Sequence, residues 1–124
     1  MSCPVTTEDA RLLSLILDSW NKPVVYVDTE HIIRYMNRPA MRNYSKWGNV
    51  IGKSIFECHN QRSREIMERA FVRLTDGERE VMIIDSEKHR VYMRGVKDEE
   101  GELVGYYERY DPPSHGQRGA GKNE

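Results

Sequence analysis

Two side chains able to ligate a metal or attack an electrophile stand next to each other, Cys58 and His59, within the stretch GKSIFECHNQRSREIMERAFVRL from Gly52 to Leu74. A neutral imidazole is the usual protein ligand of haem iron, so His59 is a candidate axial ligand, with Met36, Met67 and Phe71 as a second ligand or an apolar surround. A helix-capping or hydrogen-bonded structural histidine is the favoured alternative. Thiolate–imidazole catalysis needs sulfur and ring within hydrogen-bond reach and a third group to orient the ring. Neighbouring residues in a helical turn point about 100° apart, so an enzyme is not expected. Cys58 would sense redox state only if exposed and of lowered pKa; a buried, inert thiol is favoured.

A wider set, Met36, Tyr44, Phe56, Cys58, His59, Met67, Phe71, Tyr92 and Tyr106, makes a candidate pocket lining. Methionine and aromatics at such spacings are more often plain core. Tyr92 and Arg94 share one strand face, opposite Val91 and Met93, and the sequence does not say which face looks inward. An arginine turned into a cavity would call for an anionic ligand; a solvent-facing Arg94 is the commoner case. His31 and His89 fall in turns and His115 in the tail, and none is given a role.

The elements that must position these residues follow from periodicity. Ile66, Met67, Ala70, Phe71 and Leu74 form one stripe of a helix whose other side carries Arg62, Arg64, Glu65, Glu68, Arg69 and Arg73. Asn60 is its expected N-cap and Thr75-Asp76-Gly77 its end, with Glu65 and Arg69 spaced for an ion pair. Upstream, Thr6 and Thr7 before Glu8 and Asp9 open a helix whose Leu12, Leu13, Ile16, Leu17 and Trp20 recur at helical spacing, widened by Leu15. Packing on the chain's own sheet and pairing in a homodimer would bury the same residues. Residues 23 to 36 read as a β-hairpin with an apolar first strand expected to be covered on both faces, and Asn37 closes it and caps a short helix through Ala40, Met41 and Tyr44. Val81 to Ile84, His89 to Val96 and Leu103 to Tyr110 are three further antiparallel strands, and Gly95 and Gly105 suggest bulges or close backbone approach. Pro112-Pro113 ends the sheet. The tail SHGQRGAGKNE is expected to be disordered.

At 124 residues, with 38% hydrophobic and 31% charged side chains, one soluble domain is expected. Its parts are a cap helix over 1–20, a core over 21–111 and a tail over 112–124. No apolar run approaches the roughly 20 residues of a membrane span, and the N-terminus lacks the pattern of a signal peptide, so the cytoplasm is the expected location. The net charge of −1 leaves no positive field of the kind nucleic acids require. Cys3 and Cys58 are too few for a disulfide framework, and no paired Cys-x-x-Cys spacing suggests zinc.

The run V-x-x-V-D-x-x-x-x-I-x-Y-M-N-x-x-A from Val24 to Ala40, I-G-K-S-I-F-E at Ile51 to Glu57 and D-E-E-G-E-L-V-G-Y at Asp98 to Tyr106 together resemble a PAS domain over roughly residues 10 to 111. The Cys-His-Asn segment at 58–60 is similar to PAS domains found with hemerythrin-like domains, with Asn60 where proline is usual. The resemblance implies an α+β fold: a five-stranded antiparallel sheet in the order 2-1-5-4-3 with helices on one face, a small cavity between them, and an N-terminal helix. It implies a sensory or interaction module that binds a small molecule or mediates pairing. Haem-binding relatives that use histidine usually carry it within the long helix, which has none here, and the flavin-photoreceptor motif around cysteine is absent. The expected function is a single PAS signalling module, homodimeric through its N-terminal helix and reporting to a separate signalling protein, with no nucleic-acid or membrane partner. A haem redox or gas sensor using His59, and a dimerisation module with a filled core, are the alternatives.

Overall fold

The computed structural model describes residues 6–113; Cys3, His115 and most of the tail lie outside the described residues. Helix α1 (Thr7–Ser19) opens on a reciprocal cap, the Thr6 hydroxyl accepting from Asp9 N–H and the Asp9 carboxylate from Thr6 N–H. A hairpin follows, β1 (Val25–Asp28) and β2 (Ile33–Met36), then α2 (Arg38–Asn43). After two 3-10 turns (Ser45–Trp47 and Ile55–Cys58) comes α3 (Gln61–Thr75), capped by Asn60 through Ser63 N–H as its sequence implies. Strands β3 (Glu80–Asp85), β4 (Arg90–Lys97) and β5 (Leu103–Asp111) complete a five-stranded antiparallel sheet in the order β2-β1-β5-β4-β3.

Strand parity divides this sheet into two chemically different faces. Val25, Val27, Ile33, Val81, Met93 and Tyr106 are buried together against Met67, Ala70 and Leu74 of α3, and this is the core. On the opposite face Arg109 forms a two-bond ion pair with Glu80, sits over the Tyr92 ring and also pairs with Asp111. Arg94 joins Glu80 on that same face. Tyr92 is therefore not in the inner pocket as expected, because its register beside Met82 and Arg109 turns it away from the helices.

Two further expectations need correction. The first strand is not covered equally on both faces: Val25 and Val27 are buried, whereas Tyr26 and Asp28 remain half-buried, since on that side the chain supplies little more than Leu17 and Trp20 of the α1 end. The ion pair on the polar side of α3 is Arg64 with Glu68 at 3.0 Å, while Glu65 takes a bond from Gln61. At Gly105 both expected features are present: a Cβ there would collide with the Val27 carbonyl and the Tyr26 ring and hydroxyl, and the register shifts at the neighbouring Val104. The other register shifts fall between Tyr26 and Val27 and between Met82 and Ile84.

Asn37 is the one polar residue fully buried among the described residues. Its Oδ1 accepts from Val24 N–H at 2.8 Å and Ala40 N–H at 3.1 Å, and its Nδ2 donates to the carbonyls of Leu17 at 2.8 Å and Lys22 at 2.9 Å. One side chain thus ties the end of α1, the start of β1 and the start of α2. Asn37→Ala strips partners from four backbone groups in a dry site and should cost about 3 kcal/mol of stability. Urea unfolding checks this, and a loss under about 1 kcal/mol would show that water replaces the amide.

Candidate functional site

The inner face holds two neighbouring sites, one apolar and one acidic. At the first, His31 occupies the β1–β2 turn with φ of 68°, a left-handed conformation that histidine, like asparagine and aspartate, adopts more readily than other non-glycine residues. That backbone aims its ring inward, where the centroid lies 4.9 Å from Phe56, 4.7 Å from Phe71 and 5.8 Å from Tyr106. His31 Nδ1 and the Tyr106 hydroxyl share a 2.8 Å hydrogen bond. Burial pushes the His31 pKa down, so the neutral ring is the stable form in this aromatic cluster. The sequence reading gave His31 no role. Its signal, a histidine where the turn needs a left-handed residue, is visible only once the turn is known.

The second site lies between the first half of α3 and the end of the sheet. His59, Ser63, Ile66, Met67, Ile83, Ile84 and Glu108 line a half-open hollow of about 50 Å³. His59 ends the second 3-10 turn with its Nδ1 2.9 Å from the Ile55 carbonyl. A carbonyl only accepts, so Nδ1 carries the proton and the neutral ring leaves Nε2 unprotonated. The bond fixes the ring through the backbone and engages Nδ1 with the Ile55 carbonyl. Cys58 is half-buried against the core and its pKa is pushed up, chiefly by burial, opposite to what a reactive thiol requires.

Glu108 is the residue sequence reasoning missed. It sits on β5 between Tyr106 and Tyr110, opposite Met93, with the same inward parity as both tyrosines. Tyr110 donates a 3.1 Å hydrogen bond to its carboxyl, the one such bond to it among the described residues. Burial raises the Glu108 pKa above the ordinary carboxylate value, opposed only by the nearby His59, the Tyr110 bond and His89. The hydroxyls of Tyr44, Tyr106 and Tyr110 are raised as well, by burial first and then by the Glu108 charge. Alternation in Y-Y-E-R-Y was the available signal: a strand that places Tyr106 and Tyr110 inward places Glu108 there too.

Of the remaining predicted lining residues, Met36 and Met67 are buried core, while Tyr44, Phe56 and Phe71 are half-buried against it. Met67, His59 and Glu108 share the small cavity; Phe56, Phe71 and Tyr106 instead surround His31. Met36 touches neither site directly. Two larger hollows open elsewhere. One of about 570 Å³ lies beside Thr29, Phe71, Asp76 and Lys97, and one of about 410 Å³ lies under α1 beside Leu17, Trp20, Tyr26, Tyr35 and Tyr107.

A PAS domain family model matches residues 13–110, four-fifths of the chain, and decides the family. The chain belongs to the PAS domain family. The PAS domain of a Colwellia psychrerythraea protein superposes with a TM-score of 0.63 at 14% identity, covering 83% of this chain and 95% of that one. The PAS domain of Bordetella pertussis BvgS gives 0.64 at 16% identity over 88% and 89%. A sensory box sensor histidine kinase from Vibrio cholerae gives 0.59 at 16% over 85% and 92%. At these identities the likeness is one of fold. No curated protein sequence matches the chain. Among the described residues no helix is long and apolar enough to cross a membrane, and no group of three or more histidine, cysteine or acidic side chains is placed to hold a metal ion.

The half-buried Glu108 carboxyl, held by a single hydrogen bond, should show in the pH dependence of stability. The fold binds the Glu108 proton more tightly than the unfolded chain does, so the Glu108 contribution to stability is greatest at low pH. It falls as pH rises from 4.5, the ordinary value, through the higher folded pKa. Relative to Glu108→Gln, wild type should lose about 1.4 kcal/mol for each unit by which that pKa is raised. Denaturation of both proteins at acid and neutral pH checks this, and parallel profiles would show that Glu108 does not carry the dependence.

Proposed function

We propose that this PAS domain is a cytoplasmic sensory module, not an enzyme, in which a small molecule in the inner cavity biases the packing of α1. Helix α1 then passes the change on by pairing with a second copy, and a separate signalling protein reads it. The observation that carries the reading is the state of α1. None of its residues is buried, and Leu12, Leu13, Leu15, Ile16 and Trp20 each stand roughly half exposed. A helix so apolar and so little covered calls for a partner surface. Its C-terminal end is nevertheless held firmly, by the Asn37 bonds and by Asp18, whose carboxylate accepts from Arg38 N–H at 2.8 Å. The sheet and α1 are therefore mechanically joined at one end, and a ligand need only favour one of two α1 arrangements by its differential affinity.

The haem reading does not fit these residues. The cavity that His59 lines is about 50 Å³, against roughly 300–1,000 Å³ for cofactor-sized sites. Neither larger hollow contains a histidine. A dimerisation module with a wholly filled core is the second reading, and the small size of the inner cavity favours it.

Sedimentation tests the role of α1. Wild type should sediment as a dimer, and the double substitution Leu13→Glu, Ile16→Glu should sediment as a folded monomer with an unchanged circular dichroism spectrum. A monomeric wild type, or a double variant that still dimerises, would remove the pairing role.

A further inference from the structure

We propose that Glu108 sets the ligand class of the inner cavity: a small alkylammonium, an amine head on a short apolar body. The inference rests on the reading of that cavity as a ligand site. Its walls Ile66, Met67, Ile83 and Ile84 are hydrocarbon or thioether, which suits an alkyl group. Glu108 also borders the adjoining core beside Val25, Val27, Ile55 and Tyr106, so the acid lies at the inner end of an apolar slot. Of its two carboxyl oxygens, Oε1 takes the Tyr110 hydroxyl, and Oε2 has no hydrogen-bond donor among the described residues.

The groups that act on the acid are His59 at the α3 cap, Tyr44 at the end of α2, Tyr106 and Tyr110 on β5, and His89 in the β3–β4 turn. None carries a fixed positive charge. A carboxylate in an apolar setting is costly unless a cation meets it; the imidazoles of His59 and His89 favour the charged form, but neither donates a hydrogen bond to it among the described residues. An ammonium ion supplies a fixed charge and three N–H donors, one of which fits the open Oε2. Where Glu108 enters the complex protonated, it gives that proton to solvent and the resulting pair is neutral. The small volume sets the scale, since an alkyl chain of a few carbons fills it.

Methyl NMR titrations of the full chain at neutral pH with n-propylammonium, and separately with n-propanol, test this. The ammonium should shift the Ile66, Met67, Ile83 and Ile84 signals and bind about tenfold more tightly than the alcohol. Glu108→Gln should bring the two affinities together while signals away from the cavity stay in place. Equal affinities in wild type, or undiminished ammonium binding in the variant, would overturn the amine assignment and leave the cavity a ligand site. No shift with either probe would overturn both. The comparison of the two probes on wild type needs no variant, so it stands even if Glu108→Gln fails to fold.

Discussion

The structure depends on one amide. Asn37 has no exposed surface and all four of its hydrogen bonds end on backbone groups of three different segments. Unmaking any of them leaves a peptide donor or acceptor in a dry place, which is the expensive half of hydrogen-bond energetics. The end of α1, the first residues of β1 and the first turn of α2 are consequently fixed relative to each other far more strictly than apolar contact would fix them. Apolar burial is tolerant of sliding; a set of four aimed bonds is not.

That strictness is local. Beyond Leu17 the rest of α1 touches the sheet through little, and its large apolar side chains stand open. The helix is thus clamped at one end and little covered along its length. The clamp is continuous with β1, and β1 is hydrogen-bonded to β5, the strand that carries Tyr106 and Glu108. The path from the inner face to α1 is therefore short and made of backbone, with Gly105 allowing β5 to lie close against the Val27 carbonyl and the Tyr26 ring.

Much of this was legible in the sequence. Both long helices, their caps at Thr6 and Asn60, the hairpin, the cap at Asn37 and the strand order follow from periodicity, capping chemistry and the PAS resemblance, and the structure agrees. The site was less legible, for physical reasons. A period of two separates the faces of a strand but does not say which face meets the helices, so Tyr92 was placed inside with Tyr106 when the two lie on opposite sides. Glu108 was passed over because a glutamate in an exposed-looking tyrosine-rich strand reads as surface. His31 was passed over because a turn residue is expected to face water, and only its positive φ turns the ring inward. Asn37 was read as a cap, which it is, but three of its four bonds are to groups its sequence position does not suggest.

The small size of the inner cavity has a cause in the same residues. Between α3 and the sheet, the His31 ring lies within about 6 Å of Phe56, Phe71 and Tyr106, and Phe71 within about 6 Å of Tyr106. Four rings held by mutual contact and by the His31–Tyr106 hydrogen bond occupy volume that an open PAS-type cavity would leave free. What remains is the corner beyond Tyr106, where β5 continues to Glu108 and α3 begins at its Asn60 cap. Shared folds at 14–16% identity say nothing about that corner, because its chemistry comes from single side chains and not from topology. The chemical character of that corner therefore comes from Glu108, His59 and the apolar wall around them, and the aromatic cluster bounds its volume.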